Sequence, residues 1–135
     1  MGFVLDFDAK NRILRVTLEG QLTDTILLGS YVAAAGYVAS HPPCRGIVDF
    51  SAVTNFEVSS AGLRQLAEHA PAFPAASMRV LVAPSDFLYG MMRMFQIVGE
   101  EVRPNLHVVR TMDEAYRLLR VKSPEFGSIN LDKTG

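Results

Sequence analysis

Two adjacent hydroxyl side chains, Ser59 and Ser60, lie where a loop gives way to a helix-type pattern. A serine at such a boundary can cap the helix, because its side-chain oxygen accepts a hydrogen bond from an amide of the first turn. The same position suits a phosphate, since first-turn amides are unpaired and the positive end of the helix dipole lies there. A structural cap and a phosphorylation site that switches recognition are therefore both open interpretations of these residues.

The other reactive residue types do not group in the sequence. Metal-ligand spacing is absent among the three histidines and the single cysteine, which are His41, His69, His107 and Cys44. The sequence contains no glycine-rich phosphate loop and no GxSxG nucleophile turn. Ser59 and His69 would lie about 15 Å apart along one helix, too far for a nucleophile and its base. We therefore expect no enzyme activity, no metal and no cofactor.

The composition excludes several classes of protein. The chain has 135 residues, of which 49% are hydrophobic and 20% are charged, as expected of one globular domain. The formal net charge is −1 and the 13 basic residues form no cluster, so nucleic acid is not expected as a partner. No apolar run approaches the roughly 20 residues that span a membrane, and the first residues lack a secretory pattern. We expect a cytoplasmic protein that does not bind a membrane.

The hydrophobic pattern predicts a β-hairpin followed by alternating helices and strands. Residues 3–7 and 12–20 form the hairpin, with turn-forming residues between them. Further strands are predicted over residues 46–50, 78–84 and 105–110, and helices over residues 24–40, 60–70, 86–101 and 112–121. This order predicts an α/β fold with a mostly parallel five-stranded sheet, about four helices, and the first strand as an antiparallel edge.

Local signals mark the ends of these elements and of the domain. A capping residue precedes each predicted helix: Thr23 or Asp24, Ser59, Ser85 or Asp86, and Thr111 in a capping box with Glu114. After Val121 the chain becomes polar and contains Pro124 and Gly127. We therefore predict a single domain over residues 1–121 and a poorly ordered polar tail over residues 122–135.

The methionine-rich helix predicted over residues 86–101 has two apolar faces. A core-facing stripe is predicted from the residues Phe87, Leu88, Met91, Met94, Phe95 and Val98. The second face carries Tyr89, Met92, Arg93 and Gln96. Methionine adapts to irregular surfaces and is common at binding sites. The second face is either part of a wide buried surface or a contact surface for a partner or for a second copy of the chain.

The segment "GIVDFSAVTNFEVSSAGLRQLA" (residues 46–67) resembles the central segment of STAS domains, the fold of bacterial anti-sigma-factor antagonists. The pattern of that family at this point is roughly "VDLSGVTFIDSSGLGAL". The order of elements also matches from about Phe3 to Val121, and the later segments resemble stand-alone STAS-like proteins of unassigned role. In the antagonists, a partner kinase phosphorylates a serine at the start of the second helix, and this switches binding to that kinase. The resemblance implies a STAS-like fold and a regulatory role.

Two alignments of the motif give different acceptor positions. An ungapped count from Asp49 places Glu57 on the aspartate of the motif and Ser59 on the phosphorylated serine. An alignment on Gly62 and the leucine that follows it instead places Ala61 at the acceptor position, and alanine cannot be phosphorylated. The strand anchor makes Ser59 the first phosphorylation candidate and Ser60 the second.

Two functions follow as hypotheses. The first is a non-catalytic regulatory module that binds a protein partner, of the kinase or anti-sigma regulator type, or a second copy of itself. The residues expected to contact the partner are Glu57, Tyr89, Met92, Arg93 and Gln96. The alternative is a carrier of a small apolar ligand, since lipid-binding CRAL-TRIO domains have a related β/α superhelix. A large enclosed pocket behind the methionine-rich helix favours the carrier, and a solid core favours the module.

Overall fold

The structure is a computed structural model that describes residues 2–129. Its elements are, in chain order, β1 (Phe3–Asp8), β2 (Ile13–Thr23), α1 (Asp24–Ala39), β3 (Arg45–Glu57), α2 (Ser60–Glu68), β4 (Arg79–Val82), α3 (Asp86–Val98), β5 (Leu106–Val109), α4 (Met112–Leu119) and β6 (Gly127–Ser128). This is the predicted order of a hairpin followed by alternating helices and strands. The α/β fold and the four helices are confirmed over residues 2–129.

The strands form one mostly parallel sheet in the order β5-β4-β3-β2-β1-β6. β1 and β2 form the antiparallel hairpin, while β2, β3, β4 and β5 are parallel neighbours. The sheet has six strands instead of the five predicted, because β6 pairs antiparallel with β1 and places Gly127 opposite Phe7. β1 is therefore not the sheet edge. β6 belongs to the segment predicted as a poorly ordered tail, of which residues 130–135 lie outside the described residues.

The two faces of the sheet carry separate apolar clusters. Side chains alternate along a strand, so in β4 Leu81 joins one cluster while Val80 and Val82 join the other. The larger cluster packs under α1, α2 and α3, and the smaller one packs under α4. No helix in residues 2–129 combines the length and the apolar character that a membrane span requires. The loops that follow the parallel strands lie at one edge of the sheet. Ser59 lies in the loop that follows β3.

The predicted faces of α3 are wrong in part. Leu88 and Met92 are its two buried residues, although Met92 was predicted on the second, partner-binding face. Three members of the predicted core stripe are instead exposed, namely Phe87, Met94 and Val98. The neighbouring Ile97 is exposed as well. A helix that is apolar around most of its circumference does not specify which face is buried. The direction in which α3 meets the sheet decides it, and Met92 is no longer a candidate for contacting a partner.

Candidate functional site

Two helices begin side by side at one edge of the sheet. β2 and β3 are parallel neighbours, and their pairing extends to Thr23 opposite Glu57. Because parallel strands bring their carboxyl ends to the same edge, the helices that follow them start next to each other. Thr23 caps α1, and Ser59 caps α2. The exposed Ser59 side chain therefore lies at the junction of two helix N-termini.

The hydroxyl and the amide of Ser59 make three hydrogen bonds at this junction. Its Oγ accepts a hydrogen bond from the amide of Gly62 at 2.9 Å, which confirms the predicted N-cap. The same hydroxyl donates to Oδ2 of Asp24 at 2.6 Å, and the Ser59 amide donates to Oδ1 of Asp24 at 2.8 Å. One carboxylate at the start of α1 thus holds both donors of the residue that caps α2.

The Asp24 carboxylate is stabilised in its ionised form. The hydrogen bond from the Ser59 hydroxyl, followed by the one from the Ser59 amide, lowers the pKa of Asp24 below its ordinary value. Asp24 is also the first residue of α1, where a negative charge is favoured by the helix dipole. The carboxylate therefore stays ionised at neutral pH and faces the Ser59 hydroxyl as an acceptor.

Gly62 is required by the close approach of Asp24. A Cβ built on Gly62 would overlap the carboxylate of Asp24. The carboxylate can rotate away from such a Cβ, but it would then lose its hydrogen bonds to Ser59. The glycine of the "GL" pair in the motif thus has a physical role in joining α1 to α2.

We predict that Gly62→Ala has opposite effects in two backgrounds. In the otherwise unchanged protein it should lower the urea midpoint, because the new methyl group displaces Asp24 from Ser59. In an Asp24→Ala background the same change should leave the midpoint unchanged or raise it, since alanine is favoured over glycine in a helix by about 1 kcal/mol. Urea unfolding of the four proteins measures this coupling. Equal effects in both backgrounds would show that Gly62 does not serve the link.

The other predicted site residues divide between two places. Glu57 ends β3 and Ser60 begins α2, and both are exposed near Ser59. Tyr89 lies on α3 with the Arg110 guanidinium 4.3 Å above its ring.

Arg93 and Gln96 also lie on α3 and are bonded to each other. Nη1 of Arg93 donates to Oε1 of Gln96 at 2.6 Å, and Nε2 of Gln96 donates to the Leu106 carbonyl at 2.7 Å. The contacts of Gln96 tie α3 to β5. The Arg93 side chain is exposed.

Two of the three histidines contact aromatic rings. His41 stacks on Tyr37 with the ring centroids 3.9 Å apart, and His69 meets Tyr31 edge-on at 5.4 Å. Within residues 2–129, no three His, Cys, Asp or Glu side chains come together in a group that could hold a metal ion.

A second feature, which the sequence did not predict, is a cavity between the sheet and helices α1, α2 and α3. It has a volume of about 120 Å³, is partly open, and is lined mainly by apolar residues. Two arginines, Arg79 and Arg103, also line it and are only 5% and 6% exposed. The sequence feature that could have indicated this cavity is Arg79, a charged residue at the start of an otherwise apolar strand. All four residues of that strand are buried.

The two arginines differ in how many hydrogen bonds their guanidinium groups donate. Arg103 donates to the carbonyls of Leu66, Ala67 and His69 and so closes the end of α2. Arg79 donates from Nη1 to the Phe73 carbonyl at 3.3 Å, while its Nε and Nη2 are buried without a hydrogen-bond partner among the described residues. Burial, and to a lesser extent the charge of Arg103, lowers the pKa of Arg79.

Among known proteins, the chain has similarity to solved structures. No family model and no curated protein matches the sequence. The chain is similar to the phosphorylated form of the Bacillus cell fate determinant SpoIIAA, with 18% sequence identity and a TM-score of 0.48. The similarity covers 86% of this chain and 98% of that one. At this identity and TM-score, it does not establish a family for the chain.

Proposed function

We propose that this chain is a non-catalytic regulatory module that recognises a protein partner through the surface around Ser59. One observation carries the proposal: an exposed serine hydroxyl caps α2 and donates to Asp24, the first residue of the neighbouring helix. The motif resemblance supports the same residue as the phosphate acceptor. The partner class is a serine kinase or an anti-sigma-type regulator, and Glu57 adds a further exposed carboxylate to the contact surface.

Phosphorylation of Ser59 would act through Asp24. Transfer of a phosphoryl group from ATP to Oγ releases ADP and the hydroxyl proton, so Asp24 loses a hydrogen-bond donor. The phosphate brings a charge of about −1.5 to −2 against the carboxylate, which is repelled. The first-turn amides of α2 still stabilise the phosphate, because they donate hydrogen bonds to anions. The switch therefore opens the link between α1 and α2 and changes the shape and the charge of the contact surface.

Phosphate mapping tests this proposal. Purified wild-type protein, Ser59→Ala and Ser60→Ala are incubated with ATP and with serine kinases fractionated from the protein's own source. Mass spectrometry should find one phosphate on Ser59 in the wild type and in Ser60→Ala, and none in Ser59→Ala. Circular dichroism melts verify that each variant is folded. Modification at Ser60 alone, or at neither serine across these kinases, would remove the switch and leave Ser59 as a cap.

We also propose that α3 contributes a contact surface for a second copy of the chain. The supporting observation is its exposed apolar face, which replaces the predicted one and comprises Phe87, Met94, Ile97 and Val98. Soluble monomers rarely expose a large contiguous apolar patch. The cavity, in contrast, gives little support to a lipid carrier, because about 120 Å³, which is below the roughly 300–1,000 Å³ of pockets for drug-sized ligands, leaves no room for a long-chain lipid.

A further inference from the structure

The cavity beneath α3 combines an apolar wall with an unsatisfied cation. Its apolar lining includes Val16, Val48, Leu66, Phe73, Leu81 and Phe95. Two guanidinium groups line it, and no carboxylate of residues 2–129 does. A buried charge is normally paired, because burial without a partner is unfavourable. The arrangement therefore lacks an anion and already provides an apolar surface beside the place where one would bind.

The unpaired atoms of Arg79 form a specific recognition edge. The Nε–H and one Nη2–H of a guanidinium lie side by side and match the two oxygens of a carboxylate. The same chain uses this edge elsewhere: Arg15 donates from Nε and Nη2 to the two carboxylate oxygens of Asp6 at 2.9 and 2.6 Å. In Arg79 these two nitrogens are the ones without a partner, while Nη1 is bonded to the Phe73 carbonyl.

The neighbouring groups fix the position of this edge. Arg79 begins β4 within the sheet, and its pairing to β3 and β5 places it opposite Gly46 and Leu106. Arg103 is held by three carbonyls at the end of α2 and remains a second positive charge beside the cavity. An anion bound to Arg79 would therefore feel two cations through a poorly solvated space, where electrostatic attraction is strong.

We propose that this cavity binds a small apolar carboxylic acid in its ionised form, with the Nε and Nη2 edge of Arg79 donating to the carboxylate. The hydrocarbon part lies against the apolar lining between the sheet and α3. The cavity volume of about 120 Å³ limits the ligand to a short aliphatic or a single-ring aromatic acid. This site is independent of Ser59 and of any protein partner, so it can be tested on the chain alone.

Calorimetry and thermal melts with matched probes test the site. The full chain at pH 7 is titrated with hexanoate and benzoate, and in parallel with 1-hexanol, acetate and inorganic phosphate. Hexanoate or benzoate should bind at least tenfold more tightly than 1-hexanol, which has a tail but no charge, and should raise the melting temperature. Acetate and inorganic phosphate, which have charge without a tail, should produce no shift at the same concentration.

Two substitutions at Arg79 and one elsewhere locate the binding. Arg79→Lys keeps the charge but removes the paired edge, and it should weaken hexanoate binding at least tenfold. Arg79→Met should abolish it, while Arg117→Met, which removes an exposed arginine of α4, should leave it unchanged. If Arg79→Met does not fold, the comparison of hexanoate with 1-hexanol in the wild type still tests whether the carboxylate is recognised. Equal affinity for these two probes, no binding of any acid, or unaltered binding in Arg79→Lys would overturn the proposal.

Discussion

Leu88→Glu is expected to lower the free energy of unfolding by about 4 kcal/mol, because it places an unpaired carboxylate in the core and removes a packed leucine. Leu88 is 6% exposed and belongs to the apolar cluster beneath α1, α2 and α3. A small domain has a total stability of about 5–15 kcal/mol, so the variant should be close to unfolding. Leu88 suits this test better than Met92, because Met92 lines the cavity of Arg79, where a new carboxylate would find a cation.

Met94→Glu is the matched control on the same helix. Met94 is 61% exposed, and at a protein concentration where the chain is monomeric its replacement should change stability by less than about 0.5 kcal/mol. Urea unfolding measures both variants, and a large loss for Met94→Glu with a small one for Leu88→Glu would contradict the face assigned to α3.

Sedimentation of the wild type at micromolar concentration tests the second-copy proposal, in which Met94→Glu should convert a dimer to a monomer. A wild-type protein that sediments as a monomer throughout removes that proposal.

The sequence predicted those features of the fold that depend on neighbouring residues. Of the four capping residues found at helix starts, Ser59 and Thr111 were predicted as caps, and Thr23 and Ser85 were each predicted as one of two candidates. A cap is formed by an oxygen and an amide three residues apart, so the sequence contains both partners. The order of helices and strands follows for the same reason, because each element has its own hydrophobic period.

Features that depend on distant segments were not predictable. β3 extends to Glu57, well beyond the predicted residues 46–50, because its exposed second half pairs with the end of β2. β6 has two residues and no pattern of its own, and only its pairing with β1 defines it as a strand. Such short or exposed strands are stabilised by their neighbours and not by burial of alternate side chains.

The candidate site divides in the same way. The position of Ser59 at the start of α2 could be predicted, whereas its bond to Asp24, 35 residues earlier, could not. That bond requires the parallel pairing of β2 and β3 to bring two helix starts together. The unsatisfied edge of Arg79 is also a property of the packed core, since a sequence pattern gives no account of which nitrogens find partners.

A buried carboxylate, Asp8, joins the hairpin to the segment before β6. Asp8 is 0% exposed and ends β1. Its oxygens accept hydrogen bonds from the Asn11 amide at 3.0 Å, from Nδ2 of Asn11 at 2.7 Å and from the Glu125 amide at 3.2 Å. The first two bonds shape the hairpin turn, and the third fixes the chain that leads to β6. One side chain thus stabilises both ends of the described structure.

Asp8→Ala is therefore expected to lower the free energy of unfolding by about 3 kcal/mol at pH 7, because it leaves both donors of Asn11 and the Glu125 amide without their acceptor. Burial raises the pKa of Asp8, but the hydrogen bonds from Asn11 and from the Glu125 amide outweigh it and hold the pKa below its ordinary value. A carboxyl with a lowered pKa contributes stability above its unfolded-state value of about 3.9, and this is lost as the pH falls through the folded-state pKa. The difference between wild type and Asp8→Ala should thus be constant above about pH 5 and shrink below about pH 4.

Asp86→Ala is the control for this prediction. Asp86 is exposed in a surface ion pair with Arg110, so its replacement should cost less than about 1 kcal/mol. Urea unfolding from pH 3 to pH 7 measures all three proteins, and a difference for Asp8→Ala that grows on acidification would show that the carboxylate is not the stabilising form.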